Sequence, residues 1–166
     1  MRFMTTTDAH PLFAQALQEM GLDEVLGQVR TYPDGARTAV EAADAVGCEL
    51  GQICKSLIFA ADGVPVLVLV DGASRVDVAA VSGVLGVKKV TRADAKVVRD
   101  VTGYAIGGVP PFGHRTRTRV LADRGLLVHD EVWAAAGNPH AVFPMAPKEL
   151  VRHAQATLVD VRELTP

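Results

Sequence analysis

The sequence predicts a single α/β (α+β) domain built on a mixed, mostly antiparallel sheet. Three observations carry that prediction. Segments of helical and strand periodicity alternate along the chain, several neighbouring strands are joined by turns too short for a crossover helix, and the composition can fill a core. Of 166 residues, 49% are hydrophobic and 22% charged, which excludes a disordered chain. The whole of 1–166 reads as one domain, with 1–36 as an N-terminal helical extension and 37–162 as its core.

Leu12, Phe13, Ala16, Leu17 and Met20 recur at helical spacing behind a cap at Thr7 or Asp8, with Gly21 as the stop. An extended piece at Val29–Tyr32 meets the turn Pro33-Asp34-Gly35, and a second helix runs over Thr38–Val46, closed by Gly47. In ICKSLIFAADGVPVLVLVDG, two β-branched and aliphatic runs flank Asp62-Gly63, a hairpin signal. A helix over Val76–Leu85, capped by Ser74 or Asp77 and stopped by Gly86, precedes a short strand at Lys88–Thr91. Another helix covers Arg92–Val101 and ends at Gly103. Short strands follow at Thr118–Ala122, Leu126–His129, Val132–Ala135 and Ala141–Met145. Pro147 opens a last helix over Lys148–Gln155, and Thr157–Val161 closes the sheet.

Bulk properties narrow the function. A net charge of −2 argues against a general nucleic-acid coat but permits a local basic grip. Cys48 and Cys54, without a basic and apolar leader ahead of them, read as reduced thiols of a cytoplasmic protein. The most apolar run, Val64–Val70, is too short to span a bilayer. Five scattered histidines and two cysteines outside zinc spacing give no metal site, and no GxGxxG or P-loop is present, so no cofactor is expected.

Two features point to chemistry. Alternation in ICKSLIF puts Lys55 on the face of Ile53, Leu57 and Phe59, so its ammonium either snorkels to solvent or enters a polar pocket as an anion binder. GYAIGGVPPFGH, Gly103–His114, concentrates four glycines and two prolines in twelve residues. It is either an ordinary pair of turns or a shaped loop that lets main chain approach a ligand. Three further groups bear on function: Arg115, Arg117 and Arg119 as a charged edge strand or a phosphate grip, Cys54 as a nucleophile with His114 or His140, and Trp133 as core.

GQICKSLIF, SRVDVAAVSGVLG, TGYAIGGVPPFGH and AAAGNPHAVFPMAPKELVRH occur in register. Together they resemble the YbaK/prolyl-tRNA synthetase-associated domain family, from Thr38 to Val161. The resemblance implies a barrel-like mixed sheet surrounded by helices, and a free-standing deacylase that removes a small amino acid from mischarged tRNA without a metal or side-chain nucleophile. The amino acid would be of the alanine, cysteine, serine, threonine or 2-aminobutyrate class, and the tRNA that for proline. Carried over by residue, Lys55, Gly107 and Gly108 are catalytic, while Pro110, Pro111, Phe112, Gly113 and His140 contact substrate. The acceptor end of an aminoacyl-tRNA is the implied partner, with a synthetase as a second one. The runner-up is a non-catalytic module of the same fold that binds an aminoacyl or nucleotide end.

Overall fold

The computed structural model describes residues 9–32 and 38–163. Helices α1 (Pro11–Glu19) and α2 (Asp23–Leu26) precede a two-residue strand β1 (Arg30–Thr31) and helix α3 (Ala39–Val46). The hairpin β2 (Ile53–Ala61) and β3 (Val64–Asp71) follows, then α4 (Val78–Leu85), β4 (Val90–Arg92) and α5 (Ala95–Thr102). The remaining elements are β5 (Arg119–Asp123), β6 (Val132–Ala135), β7 (Ala141–Met145), α6 (Pro147–Ala154) and β8 (Thr157–Val159). The fold is a mixed α/β domain. Its eight described strands form one sheet in the order β1-β7-β6-β2-β3-β5-β8, with β4 joined to β2 beside that path. The β2–β3, β2–β4, β1–β7 and β6–β7 pairs are antiparallel, and β2–β6, β3–β5 and β5–β8 are parallel.

Local chemistry explains most boundaries. Thr38, Asp77 and Asp94 cap α3, α4 and α5 with their side-chain oxygens, and Gly47, Gly86 and Gly103 end the same helices in the left-handed conformation. Asp62 and Gly63 both take positive φ, 49° and 84°, as a two-residue turn between right-twisted strands requires. The Asp62 carboxylate also accepts from the amides of Lys88 and Lys89, tying the hairpin tip to the approach of β4.

Three expectations change. The cap residues Thr7 and Asp8 and the turn at Pro33-Asp34-Gly35 lie outside the described residues, and α1 is instead capped by His10, whose Nδ1 accepts from Leu12 N at 3.1 Å. Leu126–His129 is not a strand: Arg124–Val128 form a 3-10 helix, because the Asp123 carboxylate caps it through Gly125 N at 2.8 Å. The apolar face of the N-terminal helix is part of the core. Phe13 and Leu17 are completely buried, and Phe13 packs against Phe112 and Phe143 at ring separations of 5.6 and 5.2 Å. No described helix is long and apolar enough to cross a membrane.

Candidate active site

The centre of the molecule is β2, and its two edges differ. Along one edge β3 pairs with it from Cys54↔Asp71 to Ala61↔Val64. The other edge is shared, with β6 taking Ile53 and Cys54 and β4 taking Phe59–Ala61. Lys55, Ser56 and Leu57 fall between these partners and pair with neither. Ile58 sends its carbonyl to Ala93 N on this side (3.0 Å), whereas the Ile53 carbonyl accepts from Gly72 N on the β3 side (2.7 Å). By strand alternation Ser56 therefore turns its own N–H and C=O into the gap. A cleft of ≈ 230 Å³ opens there, lined by Ile53 through Ile58 and faced by Arg92, Gly107, Asn138 and Trp133. The gap explains why both parities of β2 reach one cleft.

Lys55 is half-buried, and its Nζ donates to the Ser74 carbonyl at 2.6 Å. Burial pulls its pKa down, opposed by the Asp71 carboxylate and reinforced by Arg92 and Arg75. Arg92 crosses the Phe59 ring at 5.6 Å. The Ser56 hydroxyl is buried with no hydrogen-bond partner among the described residues, which leaves an unsatisfied donor and acceptor in the wall of the cleft.

The glycine-proline loop divides in two. Its first half reaches the cleft through Ile106, Gly107 and Val109. Gly107 has φ +91°, which favours glycine, and Gly108 lies on the Asn138 main chain. Gly108 N donates to Ala105 O (2.9 Å), while Asn138 Oδ1 accepts from His140 N (2.9 Å), so two closed turns are stacked backbone on backbone. The second half is an anchor. Pro110, Pro111 and Phe112 are buried, and Gly113 sits against Ala16 and Phe13 of α1. Tyr104 OH donates to Gly113 O at 2.7 Å, and His114 Nε2 donates to Pro110 O at 2.7 Å. Pro111, Phe112 and Gly113 line a separate cavity of ≈ 270 Å³ with His114 and Arg117.

Of the residues singled out in the sequence, Lys55 and Gly107 line the cleft together, with Gly108 directly behind. Pro110, Pro111, Phe112 and Gly113 do not line it. The His140 side chain is exposed and also outside the lining; its main chain serves instead, accepting from Tyr32 N at 3.1 Å. Arg115 and Arg117 are exposed, as is Arg119, which belongs to β5, an inner strand between β3 and β8. Cys54 lines the cleft, but burial and the nearby Asp71 push its thiol up to about 12, leaving it protonated at neutral pH. Among the described residues, no group of three or more His, Cys, Asp or Glu could hold a metal ion. Sequence reasoning misses Ser56, Asn138 and Pro139, and it reads Arg92 as the start of a helix, whereas Arg92 ends β4 at the cleft. Only the orphaned position in the sheet reveals Ser56.

Comparison with known proteins agrees with this architecture. The profile of the aminoacyl-tRNA editing domain matches residues 33–153. A solved structure described as a candidate trans-editing enzyme for prolyl-tRNA synthetase superposes with a TM-score of 0.87 at 38% identity, covering 99% of this chain and 100% of that one. The uncharacterized protein YwhH of Bacillus subtilis is 31% identical over 123 residues, 74% of this chain and 78% of that protein. A proline–tRNA ligase of Syntrophus aciditrophicus is 35% identical over 109 residues, 66% of this chain but 19% of the ligase. The chain thus corresponds to about a fifth of that enzyme's length. It belongs to the aminoacyl-tRNA editing domain family.

Proposed function

We propose that the chain is a trans-acting hydrolase that cleaves the ester between a small, wrongly attached amino acid and tRNA, with the proline tRNA as its substrate. The observation that carries this reading is that Lys55 and the bare main chain of Gly107 line one cleft of ≈ 230 Å³. That volume is below the ~300–1,000 Å³ of sites for drug-sized ligands, and suits a small acyl group. Family membership and the relation to proline–tRNA ligases support the choice of tRNA.

An aminoacyl ester is already activated, so the site needs orientation more than a nucleophile. A water oxygen adds to the ester carbonyl carbon with its proton drawn toward the free neighbouring ribose hydroxyl. The carbon–oxygen bond to the ribose then breaks, and the ribose oxygen takes a proton. The products are a free amino acid and tRNA with both terminal hydroxyls. Lys55 and Arg92 hold the terminal phosphate. Main-chain N–H groups near Gly107 and Ser56 face the carbonyl, where charge develops. Asn138 and Pro139 close the acyl end, so larger residues are rejected by collision with two stacked turns rather than by the weak discrimination of an apolar surface.

The test is a panel of proline tRNAs charged with alanine, serine, cysteine, threonine or 2-aminobutyrate, incubated with the wild-type chain and with Lys55→Ala. Turnover of at least one ester by the wild type, with loss in Lys55→Ala, supports the assignment. Tight binding without turnover instead makes the chain a binding module, and turnover of free esters without dependence on tRNA makes it a general esterase.

A further inference from the structure

We propose that Asp71, braced by Arg162, is the positioning residue of the site and sets the direction in which Lys55 presents its ammonium. The proposal rests on the reading of Lys55 as the group that engages substrate.

A lysine side chain is a point charge on a flexible stem, and it becomes a precise binder only when something fixes its end. Here the fixing group is a main-chain carbonyl, that of Ser74. What fixes the carbonyl is Asp71. Its Oδ1 accepts from Ala73 N at 2.9 Å, its Oδ2 from Ser74 Oγ at 2.9 Å, and its own carbonyl from Ser74 N at 3.2 Å. These three bonds close the turn 71–74 and aim the Ser74 carbonyl at Nζ. The turn cannot slide, since a Cβ on Gly72 would stand 2.6 Å from Leu50 O and 2.9 Å from Ile53 Cβ. With one N–H on Ser74, two N–H donors of the ammonium remain for a ligand.

The other side of Asp71 is equally determined. Its carboxylate is nearly inaccessible, and Arg162 Nη1 lies 3.6 Å from Oδ2. Arg162 Nε is paired with Asp123 at 2.8 Å, and Asp123 is 1% exposed and also accepts from Gly125 N and Val161 N. Gly125 leaves room for this guanidinium, because a Cβ there would be 2.7 Å from Arg162 Cζ. The charged groups that bear on Lys55 are Asp71, Arg75 and Arg92. Asp71 opposes the two arginines and burial, so it also favours the charged form of the lysine.

The experiment compares the full chain with Asp71→Asn, Arg162→Gln and Arg162→Lys. Three quantities are followed: the NMR titration of the Lys55 side chain without substrate, kcat and KM for charged tRNA, and the unfolding temperature. Asp71→Asn keeps hydrogen-bonding atoms and removes the charge. It is expected to move the Lys55 titration to lower pH and to cut kcat/KM by about 10–100-fold, as misplacing an orienting group does. Arg162→Gln leaves the Asp71 charge in place and removes a cation, so it lowers kcat/KM by less and does not move the Lys55 titration down, and Arg162→Lys restores part of the loss in kcat/KM. A lower unfolding temperature with unchanged Lys55 titration and unchanged kcat/KM would mean that Asp71 only holds a turn, and overturns the proposal. If the wild type cleaves no charged tRNA yet the Lys55 titration still moves in Asp71→Asn, the proposed function fails while the positioning role stands. Should Asp71→Asn not fold, Arg162→Gln and Arg162→Lys decide: a loss of kcat/KM in the first that the second partly restores, in chains that still fold, supports the proposal, and unchanged kcat/KM in both overturns it.

Discussion

Gly108 rests on the main chain of Asn138: a Cβ on Gly108 would stand 2.7 Å from Asn138 Cα, 2.9 Å from its carbonyl carbon and 3.0 Å from its nitrogen. Backbone cannot rotate away as a side chain can, so Gly108→Ala must push one turn off the other. We expect about 1–3 kcal/mol of lost stability, as for other overpacked sites. On the proposed function, acyl selectivity should weaken too, because the displaced turn contains Asn138 and Pro139, which line the cleft. Gly107→Ala is the control. Its Cβ would meet only Pro139 Cβ at 3.9 Å, so only the strain of φ +91° remains. Urea unfolding and the ranking of charged tRNAs for the two variants separate crowding from strain.

His114 gives the fold an acid-side weakness. Burial drives its pKa below the ordinary 6.5, against the pull of its bond to Pro110, so the native state favours the neutral ring. The unfolded chain then binds more protons, and stability falls as pH drops through about 6.5 toward the depressed native value, by at most about 1.4 kcal/mol per pH unit for one proton. His10 and His153 shift in the same direction and add to the slope. His114→Gln retains a donor for the Pro110 carbonyl and removes the titration. Unfolding free energies between pH 5.5 and 7.5 should therefore show a flatter pH dependence in the variant. An unchanged slope means that His114 is free to protonate in the folded state.

Cys54 is beside Lys55 in sequence, but its setting does not suit a nucleophile. Its side chain belongs to the main core and its thiol is held protonated. Cys54→Ala is expected to keep turnover within about threefold of wild type, far from the many orders of magnitude that removal of a true nucleophile costs. Iodoacetamide at pH 8 should modify the half-buried Cys48 first and Cys54 only on unfolding. Mass spectrometry of the alkylated peptides reads both.

Arg115, Arg117 and Arg119 stand exposed behind the loop that reaches the cleft. If they grip the acceptor end, replacing all three with Gln should reduce the slope of log K against log salt by about 0.7 for each single-strand phosphate that they neutralise. Filter binding of deacylated tRNA from 50 to 300 mM salt measures it. A slope that stays the same assigns these arginines to solubility alone.

The elements that could be read from sequence are those whose causes are local. The Asp77 cap, the terminating glycines 47, 86 and 103, and the Asp62-Gly63 turn each act within four residues, and each appears in the fold, whereas Thr38 and Asp94, read as part of their helices, prove to be the caps. The family and its fold were legible for the same reason, as short motifs in order. The 3-10 helix at Arg124–Val128 was not, since its apolar run suits a strand and its cap is fixed by Arg162, far along the chain. Nor could spacing tell which half of the Gly103–His114 loop meets the cleft: Phe112 is drawn away by Phe13 and Phe143, which are distant in sequence. The interrupted edge of β2 depends on where β4 and β6 stop, so Ser56 carried no signal at all.

That interruption has a consequence for how the protein handles sticky backbone. Three unpaired residues amount to roughly 10 Å of strand, at about 3.3 Å each. A typical partner strand needs about five or six residues, and here β6 and β4 block both ends. An extended polypeptide cannot zip onto such a window, which has room only for a small group. The molecule thereby displays raw peptide groups to a small guest without the edge-to-edge aggregation that an open sheet margin invites.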